Sequence, residues 1–228
     1  GVDVGGAGDQ GIMVGYACDE NDEYVPQEYY LARDLCRFLY DRFPYDGKTQ
    51  ITTNDHWITH IVTSFQNVEK EQLEQSVAEY MDFEVDDIIV HCNPAGDWTQ
   101  GGFDADAGLT GRKLVVDNYG PRVPIGGGAY SGKDPSKVDR SAAYMARHIA
   151  LKELNERNLS ECWVYLSYAI GEKEPLQSTA TDGKTIWDIS DAYPVHPNEI
   201  IEFLKLKNPI YYETSQWGAY GNGFGWDK

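Results

Sequence analysis

The chain has 228 residues, 41% of them hydrophobic and 13% aromatic, so it is long enough for one large domain or two modest ones with a buried core. Its formal net charge of −18 argues against a nucleic-acid partner, because duplex binding requires a basic face. The apolar runs are too short to span a bilayer, so no membrane partner is predicted.

Hydrophobic periodicity predicts six elements in the first part of the chain. In chain order they are a strand at 12–18, a helix at 27–43, hairpin strands at 48–53 and 57–65, a helix at 68–81 and a strand at 87–92. This order is β-α-β-β-α-β, the split βαβ pattern of an α+β sandwich.

A glycine-rich stretch at 96–132, interrupted by a predicted strand at 112–117, separates this part from a second group of predicted elements. In chain order they are a helix at 136–158, strands at 163–170 and 185–189, and a helix at 198–207. The aromatic tail at 211–228 is predicted to pack or to contact another subunit rather than stack on bases.

Two glycine motifs are similar to nucleotide-binding sequences without meeting their structural conditions. Residues 6–11 fit G-x-G-x-x-G, but the dinucleotide motif needs a strand before it and a helix after it, whereas a strand is predicted here at 12–18. Residues 127–133 fit G-x-x-x-x-G-K, but Asp134 takes the place of the hydroxyl residue of a P-loop. We therefore expect close backbone approach to a ligand, with Asp9 between glycines and Lys133 near phosphate oxygens.

Positive charge is concentrated near the second glycine motif. Six of the nineteen Lys and Arg residues fall within the 29 residues from 112 to 140. They are Arg112, Lys113, Arg122, Lys133, Lys137 and Arg140. A solvated charged face is expected on a helix rather than in a glycine-rich loop, so this pattern favours a polyphosphate site.

Two other groups of residues favour ordinary structural roles. His56 and His60 lie four apart on a predicted strand, and without further ligands nearby they are predicted to lie on the hairpin surface rather than bind zinc. The four cysteines show no C-x-x-C spacing and are expected to be reduced thiols in a cytoplasmic protein.

Seven short segments, at 6–11, 46–50, 93–94, 106–113, 126–144, 167–171 and 209–211, carry a resemblance to a known family. They occur in the order found in the S-adenosylmethionine synthetases, which the chain resembles over nearly its whole length. The block from 126 to 140, with the sequence GGGAYSGKDPSKVDR, is the most specific of them. The resemblance implies a methionine adenosyltransferase, an enzyme that forms S-adenosylmethionine from ATP and L-methionine and then hydrolyses the triphosphate to phosphate and pyrophosphate.

The resemblance also implies a role for individual residues. The implied ATP site consists of Asp46, Gly47, Lys48, Asp97, Trp98, Asp106, Arg112, Lys113, Ala129 and Lys133, with Trp98 stacked on adenine. The implied methionine site consists of Asp9, Asp106, Lys137 and Ile170. Lys133, Arg112, Lys48 and Asp106 are the implied catalytic residues. Asp139 would serve Mg²⁺, and K⁺ is the second expected ion.

The sequence also departs from the family pattern. Asp97 stands where the family usually has an arginine, and Trp98 stands where it usually has phenylalanine. The leading His-Pro-Asp-Lys region is missing before residue 6, so we expect the chain to be part of a longer protein and inactive by itself.

The family fold that the resemblance implies is α+β, with interwoven β-α-β-β-α-β domains and active sites between subunits of a homodimer or dimer of dimers. The corresponding division of this chain is 20–101, 102–139, and 140–228 with 1–19. Two other functions stay open at this point: a non-catalytic regulatory homologue that keeps the fold, and a different polyphosphate-binding ATPase.

Overall fold

The computed structural model of the chain describes residues 5–55, 57–81 and 87–228, so His56 of the predicted hairpin lies outside it. The strands are β1 (Gly11–Cys18), β2 (Gly47–Asn54), β3 (Trp57–Phe65), β4 (Ile89–Cys92), β5 (Glu161–Tyr168), β6 (Gln177–Thr181) and β7 (Ile186–Asp188). The helices are α1 (Gln27–Arg42), α2 (Lys70–Met81), α3 (Leu114–Asp117), α4 (Val138–Arg157) and α5 (Pro197–Phe203). None of the helices described here combines the length and apolar character needed to cross a membrane.

The chain forms two compact units. The larger unit consists of Gly1–Pro26 and Thr110–Lys228, and the smaller unit of Gln27–Leu109. The smaller unit is thus inserted into the sequence of the larger one. Each combines a sheet with helices, which confirms the predicted α+β class with interwoven domains. The finer three-part division stays a prediction.

The smaller unit has a three-stranded sheet in the order β2-β3-β4. β2 and β3 form the predicted antiparallel hairpin, and α2 crosses over so that β4 pairs parallel to β3. α1 and α2 supply apolar residues at helical spacing to a core that includes Leu35, Leu39, Leu73, Ile61 and Phe65. This burial explains why the helical period was readable in the sequence.

The larger unit is organised around α4, which contacts β1 and β5 of the sheet β1-β5-β6-β7. Sixteen of its twenty residues are buried, which is typical of a helix at the centre of a domain. At the crossing, a Cβ on Gly15 would lie 2.1 Å from the carbonyl oxygen of Ala146. Only glycine permits this close approach of helix and strand.

Three expectations about the sheets need correction. Residues 112–117 were predicted as a strand, but 114–117 form the short helix α3, and Val115 and Val116 are exposed. β6 was not predicted, because its buried positions are the small residues Ser178 and Ala180 and give no apolar alternation. The first predicted strand was read as the start of the β-α-β-β-α-β run, but β1 pairs with β5 of the larger unit, in the part of the chain with which the implied division groups residues 1–19.

The aromatic tail packs within the larger unit, which is one of the two roles predicted for it. Tyr220 stacks on Tyr119 with ring centroids 4.3 Å apart, and Trp226 stacks on Tyr144 at 3.7 Å. Both tail side chains are fully buried. This packing brings residues 211–215 next to the start of α4.

Candidate active site

The glycine-rich segment of residues 126–133, here called the glycine loop, lies against β1 in the larger unit. A Cβ on Gly126 would lie 2.5 Å from the carbonyl oxygen of Ile12. Gly127 has φ +69°, and its Cβ would lie 2.8 Å from Oδ1 of Asp139. The close contacts and the left-handed backbone explain why this motif requires glycines.

Asp139, in the first turn of α4, holds the glycine loop in place. Its Oδ1 accepts a hydrogen bond of 2.7 Å from the Gly128 N–H, and its Oδ2 lies 2.8 Å from the Lys133 ammonium. The Asp139 carboxylate is nearly buried, whereas 36% of the Lys133 side chain is exposed. The ion pair therefore fixes a lysine at the surface, where an anion can reach it.

The second cationic segment lies beside the glycine loop. Gly111, with φ +78°, is so close to Ala129 that a Cβ on it would lie 2.7 Å from that of Ala129. The next two residues, Arg112 and Lys113, are exposed. The Tyr130 hydroxyl also donates a hydrogen bond of 2.6 Å to the Asp117 carbonyl. The structure thus brings together Arg112, Lys113 and Ala129, three of the predicted ATP-site residues.

Two predicted methionine-site residues, Asp9 and Ile170, lie at the same end of the sheet. The register pairs Gly11 with Tyr168, and each of the two residues lies two positions beyond this last pair. The loop that carries Asp9 is held by a backbone hydrogen bond of 2.7 Å from Ala7 N–H to the Glu172 carbonyl. Asp9 is exposed, and so is Ile170, with 62% of its surface accessible. Lys137, the third such residue of this unit, stands at the N-cap of α4 and is half-buried.

In the smaller unit, Asp46 and Trp98 converge on Gly101. A Cβ on Gly101 would lie 2.6 Å from the Trp98 indole and 3.0 Å from Cβ of Asp46. The Asp46 carboxylate accepts a hydrogen bond of 3.0 Å from the Gly102 N–H. Trp98 is half-buried, so part of its ring is accessible. This arrangement suits recognition of a planar base beside a carboxylate.

Gly47 and Lys48 begin β2 next to Asp46. A Cβ on Gly47 would lie 2.4 Å from the Phe65 ring, so the core of the smaller unit requires glycine there. Lys48 follows on the opposite face of the strand and is exposed. Its ammonium is therefore available to an anionic ligand of this unit.

The other two predicted residues of the smaller unit have local structural partners. Asp97 accepts a hydrogen bond of 3.2 Å from Nδ2 of Asn93, the buried amide that also donates to the Val68 carbonyl at 2.8 Å. Asp106 is exposed and accepts a hydrogen bond of 2.9 Å from the Gly108 N–H. Asp97 thus stabilises the loop that precedes Trp98, and Asp106 shapes its own turn.

Asp139 can serve as one ligand of a divalent cation. In the described part of the chain there is no cluster of three His, Cys, Asp or Glu side chains that could hold a metal ion. Mg²⁺ in nucleotide sites, however, uses one or two carboxylates together with phosphate oxygens and water. Asp139 fits that pattern, since each of its oxygens has a second lone pair beside the hydrogen bond or ion pair that it already makes.

Sequence reasoning missed a pocket of about 230 Å³ beside the glycine loop. It is lined by Ser131, Gly132, Lys133, Arg140, Tyr211, Thr214 and Ser215. Arg140 was counted only as one more cation of the cluster. Its burial next to the tail depends on tertiary packing, which leaves no local signal in the sequence.

Two family models match this chain. The central domain of S-adenosylmethionine synthetase matches residues 4–98, and the C-terminal domain of S-adenosylmethionine synthetase matches residues 100–228. The chain belongs to the S-adenosylmethionine synthetase family. The family named from seven short segments is therefore confirmed.

Individual members of the S-adenosylmethionine synthetase family are similar along nearly the whole chain. The synthases of Nitrobacter hamburgensis and Parvibaculum lavamentivorans are 37% and 40% identical to it over 98% of its length. The chain spans about two thirds of these curated relatives, 65% and 67% respectively. A solved S-adenosylmethionine synthetase from Campylobacter jejuni is 32% identical, with a TM-score of 0.88 over 98% of this chain and 69% of that one.

Proposed function

We propose that the chain provides substrate-binding surfaces of a methionine adenosyltransferase, which forms S-adenosylmethionine from ATP and L-methionine. The observation that carries the proposal is the close approach of two cationic segments in a strongly acidic protein. Arg112 and Lys113 follow a glycine packed on Ala129, while Lys133 is fixed by Asp139 at the end of the same loop. Together they form a surface suited to a polyphosphate.

The chemistry follows from where charge develops. The neutral sulfur of methionine attacks C5′ of ATP in line, and the whole triphosphate departs. Negative charge grows on the leaving group, so cations fixed around it stabilise the transition state more than the ground state. Lys133, Arg112 and Lys113 would supply that stabilisation. Lys48 is a further cation that the family resemblance implies for the triphosphate. Hydrolysis of the triphosphate to phosphate and pyrophosphate follows.

The remaining residues would orient the two substrates. Asp46 and Gly47 would lie beside the nucleoside, and Trp98 would stack on adenine. Asp9, Ile170 and Lys137 would contact methionine, and Asp106 would hold its ammonium group so that sulfur faces C5′. Asp97 would hold the loop of the adenine site rather than contribute a cation.

Bound cations would complete the site. The family as a whole is associated with divalent and monovalent cations, and we propose Mg²⁺ and K⁺ for this protein. Asp139 would hold Mg²⁺, whose charge would offset repulsion between the triphosphate and an acidic protein. We further propose a homodimer or dimer of dimers in the cytoplasm, a location that fits the four free cysteines.

The test is methionine-dependent turnover by protein produced from its full coding sequence. With ATP, Mg²⁺ and K⁺, addition of methionine should yield S-adenosylmethionine by mass spectrometry, together with phosphate and pyrophosphate. Phosphate release without methionine dependence would instead indicate another ATPase. ATP binding without formation of S-adenosylmethionine or release of phosphate would indicate a non-catalytic regulatory homologue. Either of these two outcomes would refute the proposal.

A further inference from the structure

His196 has an oxygen acceptor at each of its two ring nitrogens. It precedes α5 and faces residues 169–176, the segment between β5 and β6 that is here called the β5–β6 loop. Its Nδ1 lies 3.1 Å from the Lys173 carbonyl oxygen, and its Nε2 lies 3.4 Å from Oε2 of Glu174. A neutral imidazole has one N–H and can donate to only one of these oxygens, whereas an imidazolium donates to both. The arrangement therefore favours the charged ring.

The backbone on either side of His196 is fixed. The Tyr168 hydroxyl, at the end of β5, donates a buried hydrogen bond of 2.7 Å to the Val195 carbonyl. Pro197 follows as the first residue of α5, and its ring restricts the backbone there. Because His196 is held from its own side, its two ring contacts act on the β5–β6 loop.

The β5–β6 loop supports two residues that the family resemblance implies for methionine. Ile170 belongs to the loop itself. The segment that carries Asp9 is tied to it by two backbone hydrogen bonds, from the Ala7 N–H to the Glu172 carbonyl at 2.7 Å and from the Gly171 N–H to the Ala7 carbonyl at 2.9 Å. A displacement of the loop would therefore move Ile170 and the support of Asp9 together.

We propose that His196 is a positioning residue for methionine binding, which holds the β5–β6 loop by both contacts while its ring is protonated and by only one after deprotonation. The inference rests on the proposed function, because Asp9 and Ile170 contact methionine only under that function. An imidazole changes its charge between pH 5 and 8. Affinity for methionine should therefore be higher at pH 6 than at pH 8.

The size of the effect follows from the exposure of the pair. The His196 and Glu174 side chains are 35% and 80% exposed, and exposed ion pairs are weak, so we expect a change in affinity of about two- to fivefold. Charged groups elsewhere in the neighbouring segments are exposed to solvent, where salt screens their influence on the ring. They are Asp9, Glu172, Lys173 and Glu199.

The first test compares the parent protein with His196→Asn, both produced from the full coding sequence, in synthesis of S-adenosylmethionine at pH 6 and pH 8. Asparagine keeps a donor for the Lys173 carbonyl, does not titrate and is favoured before a helix, so the variant should fold. The rise of KM for methionine from pH 6 to pH 8 should be about two- to fivefold larger in the parent, whereas the pH dependence of kcat should be the same in both. An equal rise of KM in the two proteins overturns the proposal.

A matched pair of carboxylate variants separates the contact with His196 from a general effect of charge. Glu174→Gln removes the carboxylate that favours the imidazolium, so its rise of KM should approach that of His196→Asn. Glu202→Gln removes an exposed carboxylate of α5 that pairs with Lys207, and it should behave as the parent does. If both variants reduce the rise equally, the effect does not come from His196 and the proposal is wrong.

Hydrogen–deuterium exchange without substrates gives a readout that does not depend on turnover. At pH 6 the peptides that cover residues 5–10 and 169–176 should exchange more slowly in the parent than in His196→Asn, and at pH 8 the two proteins should exchange alike. Equal exchange in these peptides at both pH values would show that His196 does not hold the loop. If the parent forms no S-adenosylmethionine, the proposed function fails, while the exchange result still decides whether the loop is held.

Discussion

The Arg147–Asp227 pair gives a sharp test of what holds the C-terminal tail in the larger unit. Both side chains are almost completely buried, with 1% and 4% of their surface exposed. Arg147 also donates to the carbonyls of Tyr16, Tyr24 and Glu23 at 2.7–2.8 Å. One guanidinium therefore connects α4, β1, the loop after β1 and the end of the chain.

Removing one partner should be strongly destabilising. Asp227→Ala leaves a buried guanidinium without its counter-charge, and breaking a buried pair in this way typically costs about 3–5 kcal/mol. Domains are stable by only about 5–15 kcal/mol, so the change is a large fraction of the total. With a urea m-value near 2 kcal/mol/M, the unfolding midpoint should fall by about 2 M.

The assay is urea unfolding followed by tryptophan fluorescence, since Trp226 is fully buried next to Asp227. Lys207→Gln, which breaks an exposed ion pair in the same unit, is the matched control and should leave the midpoint unchanged. The double variant Arg147→Met with Asp227→Ala should be less destabilised than Asp227→Ala alone, because no charge is left buried. A midpoint for Asp227→Ala equal to that of the control would refute the reasoning.

Three further predictions concern catalysis, the adenine site and pH. Lys133→Ala and Arg112→Ala should lower kcat more than they raise KM for methionine, by about 2–4 kcal/mol in the activation free energy; a lower melting temperature with normal turnover would instead show a structural role. The change in tryptophan fluorescence on adding ATP should vanish in Trp98→Leu, and an unaltered response would remove Trp98 from the site. Burial, which includes packing against Phe203, lowers the pKa of His148 in the folded protein. The free energy of unfolding should therefore decrease as the pH drops below about 6.5, because the unfolded chain takes up the proton first. His148→Leu should lessen this loss in urea midpoints measured at pH 7.5 and 5, and an equal pH slope in both proteins would contradict the assignment.

Elements with a strong apolar period were predictable from the sequence. The predicted helix at 27–43 corresponds to α1, and the hairpin at 48–65 to β2 and β3, because each buries one face against a local core. The valines at 115 and 116 misled the same reasoning, since β-branched residues favour strands but here stand exposed in a helical turn. β6 was not predicted, because its small and polar residues show no apolar alternation although they pair in the sheet.

The candidate site was readable in its chemistry but not in its arrangement. A polyphosphate site is indicated by the sequence alone, through the cationic cluster, the glycine motif and the family resemblance. The contact of Gly111 with Ala129 and the Lys133–Asp139 ion pair were not readable, although they place these residues together. Asp97 departs from the family pattern in the sequence, and the structure shows that it has a local role as the acceptor of a hydrogen bond from Asn93.

The sequence by itself therefore determined the local elements, the charge distribution and the family, since these depend on residue type and short-range spacing. The tertiary structure decided which strand joins which sheet and which buried charge is satisfied by protein. Arg140 and Arg147 lie on one helix, yet among the residues that the structure describes only Arg147 forms an ion pair, with the carboxylate of a residue 80 positions away. No short-range pattern encodes such a partner, because it is supplied by the packing of the tail against α4.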